Sequence, residues 1–132
     1  MTLAGFVETK LIDPFEVFIG PVFERGAPGE KTFALPIDER HVNARGVIHG
    51  GMLMTFADQS MAMTARQATG VKRHATIELN TQFIGSVQLG QFVEAHAEVV
   101  RATRSVVFME VKMFVDGRIV VSANGIWKIL EE

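Results

Sequence analysis

The chain contains no cysteine. That excludes a disulfide scaffold, a thiolate metal site and a cysteine nucleophile together, and it fits a reducing compartment. Neither sign of charge is in surplus: 13 Lys and Arg stand against 15 Asp and Glu, a formal net charge of −2 with His neutral. A nucleic-acid interface needs a clear basic excess, which is missing. No apolar run is long enough to cross a bilayer. The longest nearly uncharged stretch, 49–65, is interrupted by Gly50, Gly51 and Asp58. Glu8 and Asp13 arrive before a signal-peptide core could form. These absences lead to the expectation of a soluble, cytoplasmic protein with no nucleic-acid or membrane partner. The four histidines, His41, His49, His74 and His96, show no metal-ligand spacing, and neither a metal nor another cofactor is expected.

What is present is core material. Hydrophobic residues make up 48% of 132 residues, with 10 Phe and 7 Met. No repeat or linker divides the chain, so one domain over 1–132 is expected. Residues 1–14 read as an arm or a short helix. An apolar strand is expected over 17–24, a turn over 25–30 and a second strand over 31–37. Residues 41–51, with Gly46, Gly50 and Gly51, read as a shaped loop. The Ala- and Met-rich run that follows has no Pro or internal Gly and predicts a helix over 50–68, closed by Gly70. Alternation then predicts strands over 75–83, 93–99, 105–115 and 118–129, with Asp116-Gly117 as a hairpin turn. Asp58 is the only formal charge between 49 and 65, so the helix is a buried one. The expected class is α+β: one long central helix wrapped by a curved antiparallel sheet of five to six strands.

Asp58 is the most informative residue. A carboxylate on a buried helix is costly unless it is paired, protonated or used. A local hydrogen bond, to Thr55 or to backbone, would account for it as well as chemistry would. Gly50 and Gly51 sit where the helix begins, where the first N–H groups lack intrahelical partners and the dipole is positive. Such a terminus can stabilise an oxyanion; it can equally be a tight loop-to-helix turn. Asn43 and His49 flank the same loop, and each could cap a turn or meet a substrate carbonyl.

The run HVNARGVIHGG followed by MLMTFAD resembles the motif of the hotdog-fold thioesterases, the phenylacetic-acid-degradation type of the 4-hydroxybenzoyl-CoA thioesterase superfamily. That pattern is approximately H-x-N-x-x-G-x-x-H-G-G, with an acid seven residues past the second glycine. His41, Asn43, Gly46, His49, Gly50, Gly51 and Asp58 match it. The resemblance implies an acyl-CoA thioesterase on a hotdog fold. It implies Asp58 as general base on water or as nucleophile, and the Gly50 N–H with Asn43 polarising the thioester carbonyl. His49 would support the loop or the leaving sulfur, and Thr76 would orient water.

Helix geometry adds a constraint of its own. Gly50 and Asp58 are eight residues apart on one helix, ~12 Å along its axis. A single thioester carbonyl and its water cannot bridge that span. If both residues serve one reaction they come from different protomers, so a homodimer with two composite sites is expected, with further pairing to a tetramer. Lys72, Arg73, Arg101 and Arg104 are candidates for the CoA phosphates, although each reads equally as solvated surface charge. Met52, Met54, Met61 and Met63 read as core before they read as an acyl pocket. Two other functions fit the same fold: a non-catalytic acyl-CoA-binding module, and a hydratase or dehydratase acting on acyl thioesters.

Overall fold

A computed structural model describes residues 3–130. The first two residues of the expected arm lie outside that range. The long helix α2, Gly50–Thr69, forms where its Ala, Met and Leu content favours it. His49 caps its start, and Gly70 ends it in the left-handed conformation at φ 76°, donating its N–H to the Arg66 carbonyl.

Seven strands surround it: β1 Val7–Glu8, β2 Phe23–Arg25, β3 Thr32–Pro36, β4 His74–Phe83, β5 Phe92–Ala102, β6 Val106–Val115 and β7 Arg118–Ile129. They make one sheet in the order β1-β2-β3-β5-β6-β7-β4, with every neighbouring pair antiparallel. The expected helix inside a curved antiparallel sheet is therefore present. The strand count exceeds the expected five to six because part of the arm, Val7 and Glu8, pairs with Glu24 and Phe23.

One element differs in kind. The strand expected over 17–24 is divided into a short helix α1, Pro14–Ile19, and the strand β2. Asp13 accepts the Phe15 N–H at 3.0 Å as N-cap, and Pro14 occupies the first helical position, where its missing N–H costs nothing. Those two residues outweigh the strand preference of Val17, Phe18 and Ile19.

The core lies between α2 and the inner face of the sheet. Phe56, Ala57 and Met61 of α2 meet the inward-alternating Val107, Met109, Val111 and Met113 of β6 in one buried cluster. Met52 and Met63 are buried in the same cluster, and Met54 is half-buried, so the methionines serve packing. Gly125 of β7 makes room for the fully buried Trp127. A Cβ there would stand 2.7 Å from the indole and 2.8 Å from the Glu78 carbonyl. Gly125→Ala is accordingly expected to cost ~1–3 kcal/mol through overpacking, read as a lowered melting temperature.

Candidate active site

The loop before α2 is held by its own polar groups. His41 is 1% exposed. Its Nδ1 accepts the Asp38 N–H at 3.0 Å, and its Nε2 lies 2.7 Å from the Ile19 carbonyl. A carbonyl cannot donate, so the proton is on Nε2 and the ring is structural. The Asn43 Oδ1 accepts the N–H groups of Arg45 at 2.9 Å and Val47 at 3.2 Å. Its oxygen thus shapes the loop, and Nδ2 is the end left to donate elsewhere. Gly46 turns the chain at φ 74°.

The two glycines at the start of α2 do different work. The Gly51 N–H donates to His49 Nδ1 at 2.8 Å. A Cβ on Gly51 would stand 2.9 Å from that same nitrogen, so glycine here makes room for the cap. Gly50 is the first helical residue, and among the described residues its N–H meets no acceptor. The Phe83 ring at the end of β4 packs beside it, 3.5 Å from where its Cβ would be. Of the pair, only Gly50 has an amide available to a ligand.

Asp58 is half-buried rather than enclosed. Its Oδ1 accepts the Thr76 hydroxyl at 2.8 Å across the gap between α2 and β4. The alternative partner, Thr55, is turned elsewhere: its hydroxyl donates to the Gly51 carbonyl at 2.8 Å. Asp58 and Thr76 open into a cavity of ≈ 220 Å³. From α2 the wall includes Gln59 and Arg66; from the sheet, His74 and Trp127; from the N-terminal segment, Asp13, Phe15 and Glu16. Burial, with help from Asp13 and Asp58, pushes the Glu16 carboxyl above its ordinary range, and Arg66 partly offsets this. Burial and then the Arg66 charge push the His74 ring below its ordinary value, favouring neutral imidazole. His74 stands edge-on to Trp127, with centroids 6.5 Å apart.

Gln59, Arg66, His74 and Glu16 are wall residues that sequence reading did not single out. His74 was within reach, because it sits two positions before Thr76 on an alternating strand and so shares its face. Glu16 was not, because it falls between the expected arm over 1–14 and the expected strand over 17–24. Among the described residues, no three of His, Asp and Glu gather as metal ligands would.

Gly50 and Asp58 are not brought together within one chain, since they are separated along a continuous helix. The four candidate cations do share a region. Lys72 and Arg73 precede β4, Arg101 closes β5, and Arg104 lies in the β5–β6 turn. The pairings of His74 with Ile129, Val106 with Lys128 and Ala102 with Val107 put all of these at one end of the sheet.

Arg40 ties the end of α1 to the loop before α2. Its guanidinium donates to the Phe18 carbonyl, to the Gly20 carbonyl at 2.6 Å, and to Asp38 Oδ2 at 2.7 Å. The hydrogen bond from Arg40 holds the Asp38 carboxyl down at about 2. The native carboxyl therefore binds its proton less tightly than the unfolded one, near ~3.9. The stability it contributes is present above that unfolded value and is lost as pH falls toward about 2. Arg40→Met is expected to be less stable at neutral pH and to lose less stability between pH ~4 and ~2, as urea melts across that range would show.

The family model described as Thioesterase superfamily matches residues 45–122. A candidate esterase of Pseudomonas aeruginosa is 30% identical over 127 residues, spanning 95% of both chains. Acyl-coenzyme A thioesterase 13 of Homo sapiens is 28% identical over 104 residues, covering 75% of this chain and 71% of its own. A solved mutant of the phenylacetic acid degradation protein PaaI from Thermus thermophilus superposes with a TM-score of 0.79 at 25% identity, over 89% of this chain and all of its own. The architecture is thus the hotdog fold. The chain belongs to the Thioesterase superfamily, a family of thioester hydrolases.

Proposed function

We propose that the protein hydrolyses acyl-CoA thioesters to the free acid and CoA. The observation that carries this is Asp58, fixed by Thr76 and facing a cavity beside the long helix. With Oδ1 engaged by Thr76, Oδ2 takes a proton from water as the water oxygen bonds to the thioester carbonyl carbon. The carbonyl electron pair moves to oxygen, where the Gly50 N–H and Asn43 Nδ2 receive the charge. Collapse breaks the C–S bond, and the proton on Asp58 passes to the leaving sulfur. Direct attack by the carboxylate, forming an anhydride that water then cleaves, is the second form of the same reading.

The outer strand β4 supports a composite site. It is ten residues long and, among the described residues, pairs only with β7, and its Ile77 and Phe83 are 56% and 53% exposed. A long apolar edge of this kind invites another strand. Two copies of β4 paired antiparallel about a two-fold axis would set the partner's Phe83 end beside this chain's Thr76. The Gly50 that packs on that Phe83 would then approach this chain's Asp58. A pairing of two such dimers would use the outward face of the sheet, where Phe108 and Ile126 are cross-strand neighbours. Lys72, Arg73, Arg101 and Arg104 would meet the CoA phosphates at the sheet end they share with Thr76.

The test is release of free thiol from a panel running from acetyl- to palmitoyl-CoA with aryl-CoAs beside it. Turnover establishes the hydrolase. Binding without turnover favours an acyl-CoA-binding module, and hydration of crotonyl-CoA without thiol release favours a hydratase.

A further inference from the structure

Gln59 is 3% exposed, and neither its Oε1 nor its Nε2 has a hydrogen-bond partner among the described residues. A buried amide without partners is costly, so such groups are ordinarily satisfied. Gln59 also lines the Asp58 cavity. The His74 Nε2, on the same cavity wall, is likewise buried without a partner. An acyl pocket meant for plain alkyl chains has no use for either group.

We infer that the cavity beside Asp58 is built for an acyl group bearing a neutral hydroxyl or keto substituent, with the Gln59 amide as its specificity-determining partner. This inference rests on the thioester-hydrolase reading. Three observations define the substituent. The first is hydrogen-bonding character: Gln59 offers an acceptor and donors side by side, which together satisfy a hydroxyl, while the donor alone satisfies a keto oxygen. The second is charge. Asp13, Glu16 and Asp58 face the cavity against Arg66 and His74, and burial with the Arg66 charge favours the neutral ring of His74. A carboxylate substituent would meet three carboxyl groups and one guanidinium, so a neutral group fits better. The third is position. Gln59 and Asp58 line one cavity. The Gln59 amide therefore serves an acyl group whose thioester sits at Asp58.

The experiment compares butyryl-CoA with both enantiomers of 3-hydroxybutyryl-CoA by thiol release. The wild type is expected to favour one hydroxylated enantiomer by ~10-fold or more in kcat/KM, because a site built to bond a hydroxyl rejects the analogue lacking it. Gln59→Leu is expected to bring that ratio close to one by lowering kcat/KM for the favoured hydroxylated enantiomer more than for butyryl-CoA. A wild type that hydrolyses butyryl-CoA as well as either hydroxylated partner overturns the inference and leaves the hydrolase reading standing. A Gln59→Leu variant that slows all three substrates equally overturns it too, assigning the amide to structure or to a subunit contact. Should that variant not fold, the wild-type ratio decides alone. A wild type inert to every thioester in the wider panel overturns the hydrolase reading and this one with it.

Discussion

Asp58→Asn is expected to slow thioester hydrolysis by ~10²–10⁴-fold, the range that general acid–base assistance supplies. The fold should be unaffected. The side chain is half-buried at a cavity wall, and asparagine keeps an oxygen to accept the Thr76 hydroxyl. What asparagine cannot do is take a proton from water or attack as a carboxylate. Thiol release measured beside a thermal melt separates the two effects. A variant that retains the wild-type rate removes Asp58 from the mechanism, and one that melts far below the wild type assigns it to stability.

Gly50→Pro should be comparably damaging, lowering turnover by ~10²–10³-fold through loss of one oxyanion donor. The substitution is unusually clean. Gly50 is the first residue of α2, where proline is well tolerated, and His49 before it is already extended at φ −67° and ψ 134°. The N–H disappears without breaking the helix. Mixing this variant with Asp58→Ala, after unfolding and refolding them together, tests where the site is assembled. If Gly50 and Asp58 of different protomers form each site, mixed dimers hold one complete site, and about a quarter of wild-type turnover per chain returns for random two-fold pairing. If each chain carries its own site, the mixture stays as inactive as its components.

The parts of the fold that were legible in sequence are those whose pattern is local and long. The strand expected over 118–129 matches β7, and the helix expected over 50–68 ends one residue short of α2, because alternation and helix-favouring composition run unbroken through each. The strand β1 is two residues held by pairing with β2, and nothing near Val7 announces it. The helix α1 did have a local signal in Asp13-Pro14, but three consecutive apolar residues concealed it. The site divides the same way. The loop from His41 to Gly51 and Asp58 lies within one stretch of chain at fixed spacing and could be read. Glu16, Arg66 and His74 come from three separate segments, and only packing of α1, α2 and β4 around the cavity unites them.

The strand order has a consequence for how the chain must fold. β3 and β5 are neighbours in the sheet, yet α2 and β4 lie between them in sequence, and Phe33 pairs with Ala95. β4 is made before β5, β6 and β7 but can dock only on the last of them, as His74 pairs with Ile129. Loop-closure entropy opposes both pairings until much of the chain is in place, so nucleation falls to the contiguous β5–β6–β7 meander and folding is slow for this size. On a ribosome, β4 would emerge before the strand it pairs with and wait with Ile77 and Phe83 uncovered, an interval in which it is open to wrong pairing.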